Sequence, residues 1–174
     1  MNEAYVSIGT NLGDRAAQLD FALRSLDALP TTRVAALSPI FETDPVGPPP
    51  QDAYLNAVVR LETALAPRAL LDALLSIEHA AGRERGARNT ARTLDLDLLL
   101  YGSLVLDEPG LCIPHPRLHE RAFVLVPLCE LAPRLVHPRL GQTVEELARR
   151  VRDPQAVVAF RPDPGAPAPG KTDP

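Results

Sequence analysis

The sequence predicts an α+β domain, with an antiparallel or mixed sheet and helices packed on it. Three observations carry that prediction. Runs with the two-residue period of strands interleave with runs of helical period. The Asp-bearing run "RTLDLDLLL" is followed by a tight turn, Tyr101-Gly102-Ser103, and a returning run "LVLDE", which predicts a hairpin rather than the long crossover of a parallel sheet. Finally, 174 residues with 45% hydrophobic side chains suit one core, so a single domain is expected over 1–160.

The elements follow in order. "AYVSIG" reads as a short strand ending in Gly9, and "GTNLG" as a strand-to-helix turn without the GK[ST] ending of a phosphate-binding loop. Asp14 is placed to cap a helix whose apolar positions are Leu19, Ala22, Leu23 and Leu26, up to Pro30. "TRVAALSPIFET" reads as a second strand, running into "DPVGPPPQDA", where four prolines and a glycine forbid regular structure and suggest a ligand-facing loop. In "YLNAVVRLETAL" the odd positions Leu55, Ala57, Val59 and Leu61 face a core, and Tyr54, Asn56, Val58, Arg60 and Glu62 take the other face. Pro67 suits a first helical turn; the stripe is Leu70, Leu71, Leu74, Ile77 and Ala81, closed by Gly82. Beyond the hairpin, "CIPHPRLHERAFVLVPLCELAP" is a proline-bounded loop leading into a helix, and "QTVEELARRV" is a further short helix. Residues 161–174 are rich in Pro and Gly with almost no apolar side chains, so this tail is expected to be disordered.

The net charge of −4 supplies no bulk positive field for nucleic acid, although a local basic pocket remains compatible with it. The opening residues lack the pattern of a signal peptide, and no apolar run reaches the roughly 20 residues of a membrane span. Cys112 and Cys129 match no metal spacing and no disulfide framework. A cytoplasmic monomer with no nucleic-acid or membrane partner is therefore expected.

The chemistry concentrates in "RTLDLDLLL". On a strand, residues two apart share a face roughly 6.6 Å from one another, so Asp95 and Asp97 point one way and Leu94, Leu96, Leu98 and Leu100 the other. Adjacent carboxylates repel, increasingly so as water is excluded. Magnesium removes that cost, because it takes carboxylate oxygens and keeps waters and phosphates as its other ligands. Two such ions, roughly 3.5–4 Å apart, would be bridged by this pair. Arg83, Arg85, Arg88 and Arg92 precede the acids, and guanidinium groups bind phosphate with paired hydrogen bonds. A metal-nucleotide site explains both runs together, whereas an acidic solvated face explains only one.

Glu78 falls on the apolar side of its helix. It is either an edge residue reaching solvent or Arg83, or a hydrogen-bond partner for a nucleotide. His115 is fixed between Pro114 and Pro116, with Arg121 close behind, and the two side chains would complete a phosphate clamp. Tyr54 and Asn56 offer an aromatic plane and an amide, the means by which proteins hold flat heterocycles. Phe123 is the candidate for a second stacking plane, or else a core residue. From the residues alone, other two-metal nucleotidyl or phosphoryl transferases and a non-catalytic nucleotide-binding module stay open.

The ordered motifs "IGTNLGD", "FETDPVGP", "YLNAVVRLET", "IEHAAGRERG", "RTLDLDLLLYG" and "IPHPRLHERAFVLVPLCELAP" resemble the 6-hydroxymethyl-7,8-dihydropterin pyrophosphokinase family from about Ala4 to Arg161. The resemblance implies a ferredoxin-like fold, an antiparallel sheet flanked by helices. It also implies an ATP-dependent pyrophosphokinase of folate biosynthesis that moves a diphosphoryl group from Mg-ATP to the pterin's hydroxymethyl oxygen and releases AMP. On that basis Asp95 and Asp97 would bind two magnesium ions, and Arg83 and Arg92 would stabilise the moving phosphates. Glu78, Arg88, His115 and Arg121 would hold ATP; Thr43, Val46, Tyr54, Asn56 and Phe123 would form the pterin pocket. The chain departs from the family's usual pattern in having no Trp, Asn89-Thr90-Ala91 before "RTLDLD", and Leu75, Cys112 and Pro116 at positions near the expected nucleotide.

Overall fold

The computed structural model describes residues 1–45, 52–82, 93–152 and 156–161. Val46, the four arginines Arg83, Arg85, Arg88 and Arg92, and the tail beyond 161 lie outside the described residues. The elements in chain order are β1 (Asn2–Thr10), α1 (Arg15–Asp27), β2 (Thr32–Leu37), β3 (Phe41–Thr43), β4 (Tyr54–Thr63), α2 (Pro67–Ala80) and β5 (Asp95–Tyr101). They continue with β6 (Leu106–Glu108), β7 (Leu111–Ile113), a 3-10 turn (Leu118–Glu120), α3 (Ala122–Leu131), α4 (Val144–Arg150) and β8 (Val157–Ala159).

Local signals set the helix ends. The Asp14 carboxylate accepts the Ala17 N–H at 2.9 Å, satisfying one of the donors left free at the start of α1. Asp14→Ala should therefore cost about 1 kcal/mol, read as a lower urea midpoint with an unchanged slope. Pro67 opens α2, and Gly82 follows it at φ +81°, a conformation that a residue with a Cβ adopts reluctantly.

The main sheet runs β5-β1-β4-β3-β8, with β2 also paired to β4, and every described pairing is antiparallel. Helices cover both faces. Leu19 and Leu26 of α1 and Leu70, Leu74 and Ile77 of α2 pack on Val6, Ile8, Ala57, Val59 and Leu96. On the other face, Val124, Leu125 and Leu128 of α3 and Val144 and Leu147 of α4 pack on Tyr5, Val58 and Leu99. Val58 is thus core rather than outer surface, because the second helical layer covers the face of β4 that its sequence leaves mixed.

The α+β class holds, but the hairpin expected from the turn does not form. The turn itself is present, closed by Leu104 N–H on the Tyr101 carbonyl at 3.0 Å. The returning residues pair with β7 in a separate two-stranded ribbon, and β5 pairs instead with β1, 90 residues earlier in sequence and invisible to local reasoning. The run 32–43 likewise splits into β2 and β3 at Ser38-Pro39-Ile40. Proline has no N–H for the ladder, and the Ser38 hydroxyl takes the Val58 N–H at 2.9 Å across the break. Strand β8, which carries no strong local signal, adds to the edge at β3.

Candidate active site

Asp95 and Asp97, the first and third residues of β5, project on the side of α3, both partly buried. Leu94, Leu96 and Leu98 enter the opposite core, as their alternation requires. Leu100 does not. Tyr5 pairs with Leu100 and Val6 with Leu98, so Leu99 is an extra residue, and beyond this β-bulge both Leu99 and Leu100 turn to the α3 side.

The bulge also places the histidine. The carbonyl of Leu99 accepts the His115 N–H at 2.8 Å, docking the "IPHPR" segment beside the acids. His115 Nδ1 accepts the Arg117 N–H at 3.2 Å, so in the neutral ring the proton lies on Nε2, 3.9 Å from Asp97 Oδ2. Burial pushes the His115 pKa below the usual imidazole range; Asp97 opposes this and Arg121 adds to it. Arg121 donates from Nη1 to Asp97 Oδ2 at 3.3 Å, with its guanidinium carbon 5.5 Å from the Phe123 ring centre. Asp97, His115, Arg121 and Phe123 are thereby brought together. His79 is exposed on α2, while His119 and His137 stack edge to face on one another.

A second group lies along the same face. In register across the sheet, Gly9 of β1 stands between Asn56 of β4 and Asp95 of β5. With strands about 4.8 Å apart, Asn56 and Asp95 start roughly 10 Å from each other. Asn56 is buried and donates from Nδ2 to the Thr43 hydroxyl at 2.7 Å; Tyr54 pairs with Thr43 in register. Thr43, Tyr54 and Asn56 therefore form one cluster, next to the acid pair with only a glycine between.

The remaining expected residue, Glu78, does not reach solvent at an edge of its helix. It is only 3% exposed, and its Oε1 accepts the Leu96 N–H at 2.7 Å. Leu75 is exposed on α2 and Cys112 on the ribbon, where a hydrogen bond to Asp107 raises the Cys112 pKa.

Several residues at the site escaped the sequence reading. A Cβ at Gly9 would stand 3.4 Å from Asn56 Oδ1 and 3.9 Å from Asp95 Cβ. Asn11 donates to the Asp52 carbonyl at 3.3 Å, and Arg15 to Glu42 at 2.8 Å and to the Ala53 carbonyl at 2.6 Å. Glu42 precedes the proline-rich segment, and Asp52 and Ala53 end it, so Asn11 of the turn after β1 and Arg15 at the start of α1 together secure both ends of that segment. The motif "GTNLGD" held this signal, but a single strand-to-helix turn does not reveal what its polar side chains reach.

Among the described residues, no group of three or more His, Cys, Asp or Glu side chains is gathered for a metal. Two carboxylates alone suit a hard cation that brings phosphate and water as its other ligands, and do not suit zinc or calcium held by protein donors.

Residues 5–133 match the family model for 7,8-dihydro-6-hydroxymethylpterin-pyrophosphokinase, HPPK. The chain belongs to the HPPK family. A 2-amino-4-hydroxy-6-hydroxymethyldihydropteridine pyrophosphokinase of Pseudomonas aeruginosa is 47% identical over 147 residues, 84% of this chain and 90% of the relative. The protein of the same description from Haemophilus influenzae is 41% identical over 157 residues, 90% of this chain and 98% of the relative. Among solved structures, one titled as HPPK-DHPS in complex with substrates superposes with a TM-score of 0.69 at 14% identity, and wild-type Plasmodium falciparum HPPK-DHPS with 0.64 at 15%. At that identity they speak for the HPPK fold alone, and this chain spans 43% of each of theirs.

Proposed function

We propose that this chain transfers the diphosphoryl group of ATP to the hydroxymethyl oxygen of 6-hydroxymethyl-7,8-dihydropterin and releases AMP, a step of folate biosynthesis. Membership of the HPPK family and relatives of that name over most of the chain support the reaction class. The observation that carries the assignment to this face is the row Asn56–Gly9–Asp95, which sets a heterocycle-sized polar cluster beside the acid pair.

In the reaction the hydroxymethyl oxygen bonds to the β-phosphorus and gives up its proton to solvent, the bond from that phosphorus to the α,β-bridging oxygen breaks, and AMP keeps the bridging oxygen. Asp95 and Asp97 would hold two magnesium ions, which when bound neutralise phosphate charge and acidify the attacking hydroxyl. Arg121 and neutral His115, both turned to Asp97, would donate hydrogen bonds to ATP phosphates. Arg83, Arg88 and Arg92 join them in this reading, with Arg83 and Arg92 on the moving phosphates. Thr43 fixes the Asn56 amide, so that the amide meets the pterin edge pre-oriented, while Tyr54, Phe123 and Val46 complete the pocket. Glu78 enters the ATP group in the family pattern; its burial suggests another role, taken up below.

Thr43→Val keeps the shape and removes the hydroxyl. It should raise KM for the pterin about tenfold with kcat little changed, because one hydrogen bond that orients a buried amide is lost. The assignment itself is tested by omitting ATP, magnesium and the pterin in turn: AMP should appear only with all three. ADP, or AMP made without the pterin, would contradict it. The net charge of −4 fits a cytoplasmic monomer with no nucleic-acid partner, and among the described residues no helix is long and apolar enough to cross a membrane.

A further inference from the structure

We propose that Glu78 is a positioning residue, which sets the geometry of the Asp95–Asp97 pair by holding the backbone between them. The inference rests on the proposed metal-nucleotide reading of that pair. Leu96 lies between the two acids, and its side chain is buried against α2 while theirs face the opposite way. Strand β5 is the last in the sheet, with β1 on one side. Leu96 stands opposite Ile8, between the Asp95–Gly9 and Asp97–Ser7 pairs, and its N–H is turned to α2 rather than to β1. Glu78 Oε1 takes that N–H at 2.7 Å.

The contact is one of three at regular intervals. The Thr10 hydroxyl donates to the Thr93 carbonyl at 2.6 Å, Glu78 accepts from Leu96, and the Leu99 carbonyl accepts the His115 N–H at 2.8 Å. Residues 93, 96 and 99 are thus held from three different elements, and both acids lie inside this span. A backbone free to twist at Leu96 would swing the two Cα–Cβ directions apart. Metal ligands depend on such outer contacts, whose loss commonly weakens binding about 10- to 100-fold. A direct nucleotide contact fits the geometry less well, since Glu78 is 3% exposed.

The test compares wild type with Glu78→Gln, which keeps an oxygen acceptor, and Glu78→Met, of similar length without one. Mn2+ binding is measured by electron paramagnetic resonance with the non-cleavable analogue α,β-methylene-ATP, alongside the magnesium dependence of AMP formation. Glu78→Met should weaken metal binding about tenfold or more, while Glu78→Gln stays within about threefold. Saturating metal should restore analogue affinity in the Met variant. Metal binding by Glu78→Met equal to wild type would overturn the proposal. So would a Gln variant as weak as the Met variant, which would mean that charge acts rather than the held backbone. A nucleotide deficit that saturating metal leaves in place would instead make Glu78 a nucleotide contact. Should Glu78→Met not fold, the Gln variant and exchange of the Leu96 amide decide: slow exchange in both wild type and Gln is expected, and fast exchange in wild type refutes the anchor. Wild type that binds Mn2+ and the analogue yet forms no AMP would overturn the transferase reading and leave this comparison standing; wild type that binds neither would overturn both.

Discussion

Asp97→Ala, and equally Asp95→Ala, is expected to lower AMP formation about a thousandfold or more, equivalent to some 4 kcal/mol of transition-state stabilisation. Phosphoryl transfer is accelerated by alignment and charge neutralisation, and in the proposed mechanism these two carboxylates would bring cation to the triphosphate. Fold stability should hardly move. The Asp97–Arg121 contact is long, at 3.3 Å, with both side chains partly solvated, so its loss costs at most about 1 kcal/mol. Pterin affinity measured without nucleotide should stay near wild type, because Asn56, Thr43 and Tyr54 form a cluster of their own. Turnover within about tenfold of wild type would remove the acids from the proposed mechanism.

Gly9→Val is expected to cut kcat/KM for the pterin about a hundredfold while leaving ATP affinity within a few-fold. A Cβ at this position already stands 3.4 Å from Asn56 Oδ1, and the two γ-methyls of valine would extend between Asn56 and Asp95. In the proposed mechanism that space is where the pterin's hydroxymethyl group would meet the phosphate, and glycine lets a ligand approach the backbone there. Gly9→Ala adds only the Cβ, in ordinary contact, and should cost no more than about tenfold. Steady-state kinetics with pterin and ATP varied separately checks both variants. An unchanged KM and kcat in Gly9→Val would place the pterin elsewhere.

What the sequence disclosed and what it concealed divide by the range of the interactions. Helix starts at Asp14 and Pro67 and the stop at Gly82 were legible, because caps and φ preferences act within a few residues. The acid pair was legible through the two-residue period of its strand. The bulge at Leu99 was not, since an apolar residue on either face gives the same letters, and only the pairing with Tyr5 and Val6 shows which leucine is extra. Partner choice was equally hidden: a tight turn after β5 signals a reversal without saying which strand it will join. Glu78 looked like a misplaced charge because it accepts a backbone N–H, that of Leu96, which has no letter in the sequence. Gly9 was read as part of a turn for the same reason, its neighbours Asn56 and Asp95 lying far along the chain.

The central claim concerns where the phosphates go, and phosphorus-31 NMR of the complete reaction reads this directly. AMP and a pterin bearing two phosphorus atoms, in equal amounts and growing together, is the result predicted here. ADP with a pterin monophosphate, or inorganic diphosphate with no phosphorylated pterin, would contradict it.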